Sequence, residues 1–214
     1  MAIRDASNRG FSESIRTTVL RFSLYTFGIL LLAKLLPWVA QYGDAAVFME
    51  NGALEWLQFG LLVTTGILFL REAFLTPRYH HVFVLLACVA AFAAVREMDA
   101  NLDRLVPWIG WKIGYLIILY AAFVTYSNAQ TLERQIMRIP HSRAFSLLWA
   151  GFIIAVPFAQ LVGHGAFLHS VMGEDYIWEY NRIIEELGEF MGYVLLLIGG
   201  FELILQLRAA RSGD

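Results

Sequence analysis

The chain has 214 residues, of which 58% are hydrophobic and 16% are charged, and its formal net charge is -2. Soluble domains carry about a quarter charged residues. The low charged fraction and the mean hydropathy of +0.59 place this chain outside that class. The single cysteine, Cys88, excludes an internal disulfide framework. The 14% aromatic content and the scattered Pro and Gly residues exclude a disordered or collagen-like chain.

Six apolar segments are comparable in length with the ~20 residues that a helix needs to cross about 30 Å of hydrocarbon. In chain order they cover residues 18–41, 52–70, 82–95, 105–126, 145–162 and 187–207. We therefore expect an all-α, polytopic membrane protein with six transmembrane helices in one bundle, and a single domain over residues 1–214. The longest loop is expected on the outer face, at residues 163–185.

Basic residues are distributed unequally between the two faces that six spans define. Eleven of the 16 Lys and Arg residues fall on the side that holds both termini: Arg4, Arg9, Arg16, Arg21, Arg71, Arg78, Arg134, Arg138, Arg143, Arg208 and Arg211. Short loops rich in Lys and Arg stay in the cytoplasm, so both termini, including the segment 1–17, are expected to be cytoplasmic. The opposite, outer face is acidic.

Polar residues within or beside the spans are the candidates for chemistry, because a charge in a bilayer is costly and normally faces the bundle interior. On the second span, Glu55, Gln58 and Leu62 share one helical face that points into the membrane. A carboxylate in the first turn is also favoured by the helix dipole alone, and Glu50 is interpreted in that way. Glu55 is a candidate catalytic base or ligand.

The third span closes with Arg96, Glu97 and Asp99, and Lys112 lies one turn inside the fourth span. One interpretation is a solvated helix end with exposed ion pairs, each worth about 0–1 kcal/mol. The other is that Glu97 turns inward to a buried site, with Arg96 as its orienting partner. Lys112 must snorkel outward or meet a carboxylate, and pairing with a carboxylate is the preferred interpretation.

The predicted outer loop and the start of the last span combine His164 with three glutamates. Glu186 lies four residues after Arg182, which can neutralise it, so Glu185 and Glu189 are predicted to form the inward pair. Two carboxylates held close repel unless a proton, a cationic side chain or a metal ion compensates them. A histidine on an apolar helix is more often a satisfied hydrogen-bonding residue than a ligand. The sequence nevertheless gives a metal hypothesis: a divalent ion of undetermined identity held by His164, Glu185 and Glu189.

Several short strings of the sequence together carry a family resemblance. They are Glu50-Asn51-Gly52 through Glu55, Arg96-Glu97-Met98-Asp99 with Leu102-Asp103, Trp111-Lys112, and Glu185-Glu186 with Glu189 ahead of Gly192-Tyr193. With them the chain resembles an uncharacterised family of small six-helix bacterial inner-membrane proteins, which implies a location in the bacterial inner (cytoplasmic) membrane and no particular activity. A looser likeness is to membrane hydrolases of the alkaline ceramidase and progestin-receptor superfamily. The resemblance implies a site of three His with an Asp and a Ser. In this chain only His164 and His169 lie on the acidic side.

Three classes of function are compatible with these residues. The first is a metal-dependent hydrolase or transferase acting on a lipid or lipid-linked group, with a bound divalent ion activating water. Its catalytic residues would be Glu55, Glu97, Lys112 and Arg96, and its metal ligands His164, Glu185 and Glu189. The second class is a cation- or proton-translocating protein. The third is an accessory or scaffold subunit with a membrane-protein partner, in which buried ion pairs fix helix packing. Because no basic patch or nucleic-acid motif occurs in the sequence, the expected partner is the lipid bilayer and not nucleic acid.

Overall fold

The computed structural model describes residues 15–42, 45–49, 51–137 and 142–212, and no β-strand occurs within these ranges. The α-helices, in chain order, are α1 (Ile15–Tyr42), α2 (Ala53–Leu75), α3 (His80–Glu97), α4 (Asp99–Leu105), α5 (Gly114–Ser127), α6 (Ala129–Ile136), α7 (Arg143–Ile153), α8 (Ala159–Val162), α9 (Gly165–Met172) and α10 (Trp178–Ser212). Short 3₁₀ turns cover Ala45–Phe48, Pro77–Tyr79, Gly110–Ile113 and Gly173–Asp175. The all-α prediction is confirmed for the described ranges; Glu50 and residues 1–14 of the predicted N-terminal segment lie outside them.

Five helical segments of the described chain are long and apolar enough to cross a membrane. They are Ile15–Val39, Ala53–Leu75, Pro77–Glu97, Arg143–Val162 and Trp178–Ala209. The helices Asp99–Leu105 and Gly110–Ser127 meet the same criteria only together, and they are bent by 99° relative to each other. The expected count of six therefore requires this bent pair to cross as one span.

The predicted fourth span, 105–126, is interrupted near its beginning. Pro107 lies in the break, where its ring fixes φ and removes a backbone donor and the residue before it is pushed out of the α conformation. Gly110 has φ +51, a left-handed conformation that favours glycine. The Asp103 carboxylate accepts a hydrogen bond from the Trp111 backbone N–H at 3.3 Å, which ties the two sides of the bend together.

The chain divides into two compact units. One comprises Met1–Ala45 with Ile204–Asp214, and the other comprises Ala46–Leu203. All of the candidate site residues lie in the second unit. The expectation of a single domain over residues 1–214 stays a prediction.

Within the second unit, α2 and α3 pack together as an antiparallel pair. Near the connecting turn, the ring centroids of Phe69 and Phe83 lie 6.1 Å apart. Farther from the turn, Leu62 and Ala94 belong to one buried apolar cluster. The antiparallel arrangement places the start of α2 beside the end of α3, so Glu55 and Glu97 lie at the same end of the bundle.

Small residues bring α10 against the segment formed by α7, the π-helical turn Ile154–Phe158 and α8. A Cβ placed on Gly192 would lie 2.5 Å from the Ala155 Cβ, and one placed on Gly151 would lie 2.9 Å from the Gly192 carbonyl oxygen. Close approach through small residues is a common way for membrane helices to associate. Pro157 lies inside the π-helical turn, since proline disturbs regular α-helical hydrogen bonding. This packing fixes which face of α10 meets α8.

The segment 163–185, predicted to be the longest loop, is largely helical, and that prediction is wrong. It contains α9 and a 3₁₀ turn, and α10 begins already at Trp178. The beginning of α10 carries Glu179, Arg182 and Glu185, and because these residues are charged, the apolar pattern does not predict a helix there. Apolarity marks where a helix meets hydrocarbon, whereas the backbone hydrogen bonds of α10 continue beyond that limit.

Candidate acidic site

Three carboxylates from α3 and α10 converge at the end of the bundle where α2 begins. One carboxylate oxygen from each of Glu97, Glu186 and Glu189 lies within 4.8 Å of the other two. Glu186 is only 2% exposed, and the other two are half-buried. We call these three residues the carboxylate cluster. Metal–oxygen distances are about 2.0–2.6 Å for Mg²⁺ and Ca²⁺, so the cluster could hold one divalent cation.

Tyr193 orients Glu97 within the cluster. Its hydroxyl donates a hydrogen bond to Glu97 Oε1 at 2.7 Å. The Tyr193 side chain is itself buried with Leu62, Ala94 and Ala155, so apolar packing from three segments fixes the position of the phenol. The Glu97 carboxylate is therefore held at a defined place at the end of α3.

Arg182 is the cationic neighbour of the cluster. Its Nη2 lies 2.6 Å from Glu55 Oε1 and 2.9 Å from Glu186 Oε1. The other Glu55 oxygen accepts a hydrogen bond from the Asn51 backbone N–H at 2.6 Å. Asn51 has φ 62, a left-handed conformation that asparagine tolerates. A buried ion pair is favourable only when such additional hydrogen bonds compensate for lost hydration, and Glu55 has one.

Buried polar atoms without a protein partner are concentrated near the cluster. Within the described chain they include Glu186 Oε2, Gln58 Oε1 and Arg182 Nε. Gln58 is 0% exposed, and its Nε2 donates to the Glu186 backbone carbonyl at 3.0 Å. An unsatisfied buried polar atom costs about 1–3 kcal/mol, and folded proteins contain few of them. These atoms are free to bind a water molecule, an ion or a substrate group.

Glu185, a predicted metal ligand, is not part of the carboxylate cluster. Its Oε1 accepts a hydrogen bond from Gln160 Nε2, and a Cβ on Gly163 would lie 2.6 Å from the Glu185 Cβ. Glu185 shares a helical face with Gly188, the face that packs on α8. Glu189 is instead grouped with Glu186, three residues earlier. The expected inward pair of Glu185 and Glu189 is therefore replaced by Glu186 and Glu189.

His164, the other predicted ligand, is exposed at the position preceding α9. Gly163 ends α8 and the chain then turns into α9, and His164 does not belong to the carboxylate cluster. His169 makes a ring contact with Tyr176 at a centroid distance of 5.2 Å. No histidine belongs to a group with metal-ligand spacing in the part of the chain that the structure describes.

Arg96 does not orient Glu97. Its Nη1 lies 3.2 Å from Asp99 Oδ2, with both side chains more than 40% exposed (44% and 42%), and its guanidinium lies 4.6 Å from the Trp111 ring centroid. Arg96 therefore forms the exposed ion pair of the first interpretation, while Glu97, on the neighbouring side of the helix, points to Tyr193. Both sequence interpretations of this segment apply, each to a different residue.

Lys112 is exposed in the 3₁₀ turn Gly110–Ile113, and no ion pair of its ammonium is found within the described ranges. The preferred pairing with a carboxylate is therefore not met. The 99° bend between α4 and the following helix explains this, because it breaks the continuous span on which the pairing was based. Arg182 takes the position beside the acids that Lys112 was expected to occupy.

The spacing of the polar residues in the sequence identifies the face of α10 that carries the carboxylate cluster. Arg182, Glu186, Glu189 and Tyr193 are spaced by four, three and four residues, which places them on one helical face. The neutralisation of Glu186 by Arg182 was predicted correctly. It does not remove Glu186 from the site, because only Oε1 contacts the guanidinium and Oε2 has no protein partner.

No protein-family model, curated protein or solved structure matches this chain. Both family resemblances therefore stay predictions, and the function has to be argued from the geometry of the carboxylate cluster and its surroundings.

Proposed function

We propose that this chain is a multi-pass protein of the bacterial inner membrane, with both termini cytoplasmic, that acts as a metal-dependent hydrolase or transferase on a lipid or lipid-linked group. The observation that carries the proposal is the convergence of Glu97, Glu186 and Glu189. A divalent ion held by these carboxylates would act as a Lewis acid and would make water a better nucleophile.

The chain's own residues fit the remaining roles. The Tyr193 hydroxyl donates a hydrogen bond to Glu97, so the phenol orients this ligand and holds its own proton beside the cluster. Arg182 places positive charge next to Glu186 and has its Nε without a protein partner, which suits contact with an anionic group of a substrate. Lys112 and Arg96 lie outside the cluster, so the proposal gives their expected electrostatic role to Arg182.

An apolar groove between α2, α3 and α5 supports a substrate with a hydrocarbon chain. The groove has a volume of about 800 Å³, and its wall includes Leu62, Val95 and Leu116. Leu62 lies one helical turn after Gln58, and Val95 lies two residues before Glu97, so one end is close to the carboxylate cluster. The groove continues along α3 as far as His80. At 1.5 Å per residue this corresponds to about 22 Å, long enough for an extended lipid tail.

One observation favours a second candidate, the accessory or scaffold subunit. Arg182 contacts both Glu55 and Glu186 and thereby connects α2 with α10. Buried ion pairs can specify helix packing without any catalytic role. A scaffold requires this ion pair but needs neither a bound cation nor the groove. Cation binding and the effect of filling the groove therefore distinguish the two candidates.

The buried face of α2 argues against translocation. Its polar residues Gln58, Thr65 and Glu72 are separated by Leu62 and Phe69, which are 1% and 3% exposed. A proton or ion path needs polar groups or water within reach of one another. Apolar side chains interrupt such a path at two levels here.

The proposal is tested by reconstituting the full chain in vesicles of bacterial inner-membrane lipid extract and following lipid conversion by mass spectrometry. We expect conversion that requires a divalent cation and falls by about 100-fold in Glu97→Gln, because the cation loses a charged ligand. Glu179→Gln, an exposed position on α10, is the matched control and should retain conversion. Absence of conversion by the wild-type chain, with and without divalent cations, would contradict the proposal.

The groove is tested in the same assay. Ala91 lines the groove, whereas Val89 on the same helix is 58% exposed and lies outside its lining. Ala91→Trp should lower lipid conversion and leave cation binding intact, and Val89→Trp should change neither. Equal effects of the two substitutions would remove the groove from the proposal.

A further inference from the structure

We infer that the cation of the carboxylate cluster is a hard, oxygen-ligated divalent ion of the Mg²⁺, Mn²⁺ or Ca²⁺ type and not zinc, and that Gln58 contributes its amide oxygen to the ligand set. This inference rests on the proposed function and identifies the class of its metal. It also adds a ligand that the grouping of the three carboxylates does not contain.

The possible metal ligands in the carboxylate cluster are all oxygen atoms. The three carboxylates supply one oxygen each within 4.8 Å of the others. Zinc sites in proteins are usually tetrahedral and rich in His or Cys, whereas carboxylate, carbonyl and water oxygens suit Mg²⁺, Ca²⁺ and Mn²⁺. His164 is exposed outside the cluster, and Cys88 lines the apolar groove. The donor set therefore selects a hard cation.

Gln58 carries the second, independent observation. Its side chain is completely buried, and its Nε2 is held by the Glu186 backbone carbonyl at 3.0 Å. The hydrogen bond defines which end of the amide is which, because the reverse orientation would place two acceptors against each other. The amide oxygen Oε1 is left without a protein partner. A buried acceptor of this kind is satisfied by a donor or by a cation.

Glu186 has the same unused capacity. Its Oε1 contacts Arg182 at 2.9 Å, while its Oε2 is buried and has no protein partner. Gln58 and Glu186 are joined through the hydrogen bond to the Glu186 backbone. Gln58 and Glu186 are both buried and each has a side-chain oxygen without a protein partner, and both oxygens are of the type that hard cations prefer.

The charge balance at the carboxylate cluster favours a bound divalent cation. Glu55 and the carboxylate cluster together place four carboxylates around the single guanidinium of Arg182. No cationic partner of Glu97 or Glu189 is found in the described part of the chain. Carboxylates held close together repel strongly away from water, so a divalent ion would reduce an excess of three negative formal charges to one.

The test compares cations by thermal unfolding of the purified full chain in detergent after removal of bound metal with a chelator. Mg²⁺, Mn²⁺, Ca²⁺ and Zn²⁺ are added at matched concentrations. We expect at least one of the three hard cations to raise Tm in a saturable manner, as any ligand that binds only the folded state does. Zn²⁺ binds most sites more tightly than Mn²⁺ does, so the deciding result is whether a hard cation raises Tm by itself.

The role of Gln58 is tested with three substitutions. Gln58→Leu removes the amide oxygen and should weaken the affinity for the cation by about 10–100-fold, the range seen when supporting groups of a metal site are removed. Gln58→Glu loses the hydrogen bond to the Glu186 carbonyl but supplies an oxygen ligand, so it should bind the cation more tightly than Gln58→Leu does. Gln160→Leu removes an amide that contacts Glu185, outside the cluster, and should leave the affinity unchanged.

Each outcome has a defined consequence. A rise in Tm with Zn²⁺ and with none of the three hard cations overturns this inference and leaves a metal-dependent function in place. Wild-type affinity in Gln58→Leu removes Gln58 from the ligand set. If no cation changes Tm, both the inference and the proposed metal-dependent function are overturned.

Discussion

Arg182 makes the burial of Glu55 and Glu186 tolerable, and its removal gives the clearest prediction for a single residue. Arg182→Met leaves two carboxylates buried without their cationic partner. Breaking a buried pair by removing one partner costs about 3–5 kcal/mol. We expect a loss of this size in the free energy of unfolding, measured by denaturant titration in detergent. Adding Glu55→Gln and Glu186→Gln should restore much of it.

Lys112→Met and Arg96→Met are the matched controls. Lys112 is exposed, and Arg96 forms only an exposed pair with Asp99. Exposed pairs contribute about 0–1 kcal/mol, so both variants should unfold close to the wild type. A loss in Lys112→Met as large as that in Arg182→Met would show that Lys112, as first expected from the sequence, is the buried cation.

The sequence identifies those members of the carboxylate cluster that lie within an apolar run or directly after one. Glu97 and Glu189 are recognised in this way, and the structure groups them. It does not decide between Glu185 and Glu186, because adjacent residues on a helix differ by only about 100° in direction. The contact that decides is non-local, because Gly163, directly after α8, lies against Glu185 while Gln58 of α2 donates to the Glu186 carbonyl.

At the level of helices, the position of α10 depends on glycine at its contact with the π-helical turn. A Cβ on Gly192 would lie 2.5 Å from both the Cβ and the backbone N of Ala155. Gly192→Ala should therefore lower the free energy of unfolding by about 1–3 kcal/mol, as overpacking does. The measurement is the same denaturant titration.

Gly60→Ala, in the middle of α2, is the matched substitution. A Cβ at Gly60 meets nothing within 4 Å. Replacing a helical glycine by alanine normally stabilises by about 0.5–1 kcal/mol when space permits, so the two Gly→Ala variants should have opposite signs. Equal signs would contradict the close approach of α10 to Ala155.

Apolar runs locate the middles of the helices and fail at their ends. The run 82–95 lies inside α3 (His80–Glu97), and 187–207 lies inside α10 (Trp178–Ser212). Hydropathy reports contact with hydrocarbon, whereas a helix ends where its backbone hydrogen bonds end. The break before Gly110 was missed for the opposite reason, since Pro107 interrupts the helix within a segment of otherwise apolar character.

For the molecule as a whole, the distribution of Lys and Arg predicts the orientation in the membrane. Eleven of the 16 basic residues fall on the side assigned to the termini, and such loops stay in the cytoplasm. A reporter fused to the C-terminus should be active only in the cytoplasm. A reporter active only in the periplasm would contradict this orientation and place the carboxylate cluster at the cytoplasmic face.

Metal content of the purified full chain, determined by elemental analysis after equilibrium dialysis against divalent cations, tests the carboxylate cluster most directly. The wild type should retain about one ion per chain, as expected of a preformed site in the folded state. The double variant Glu186→Gln with Glu189→Gln should lose the ion yet remain folded, because the repulsion between carboxylates is relieved, and the exposed Glu179→Gln should retain the ion. A wild-type chain without bound ion, together with a double variant that unfolds early, would contradict the metal site and favour the scaffold.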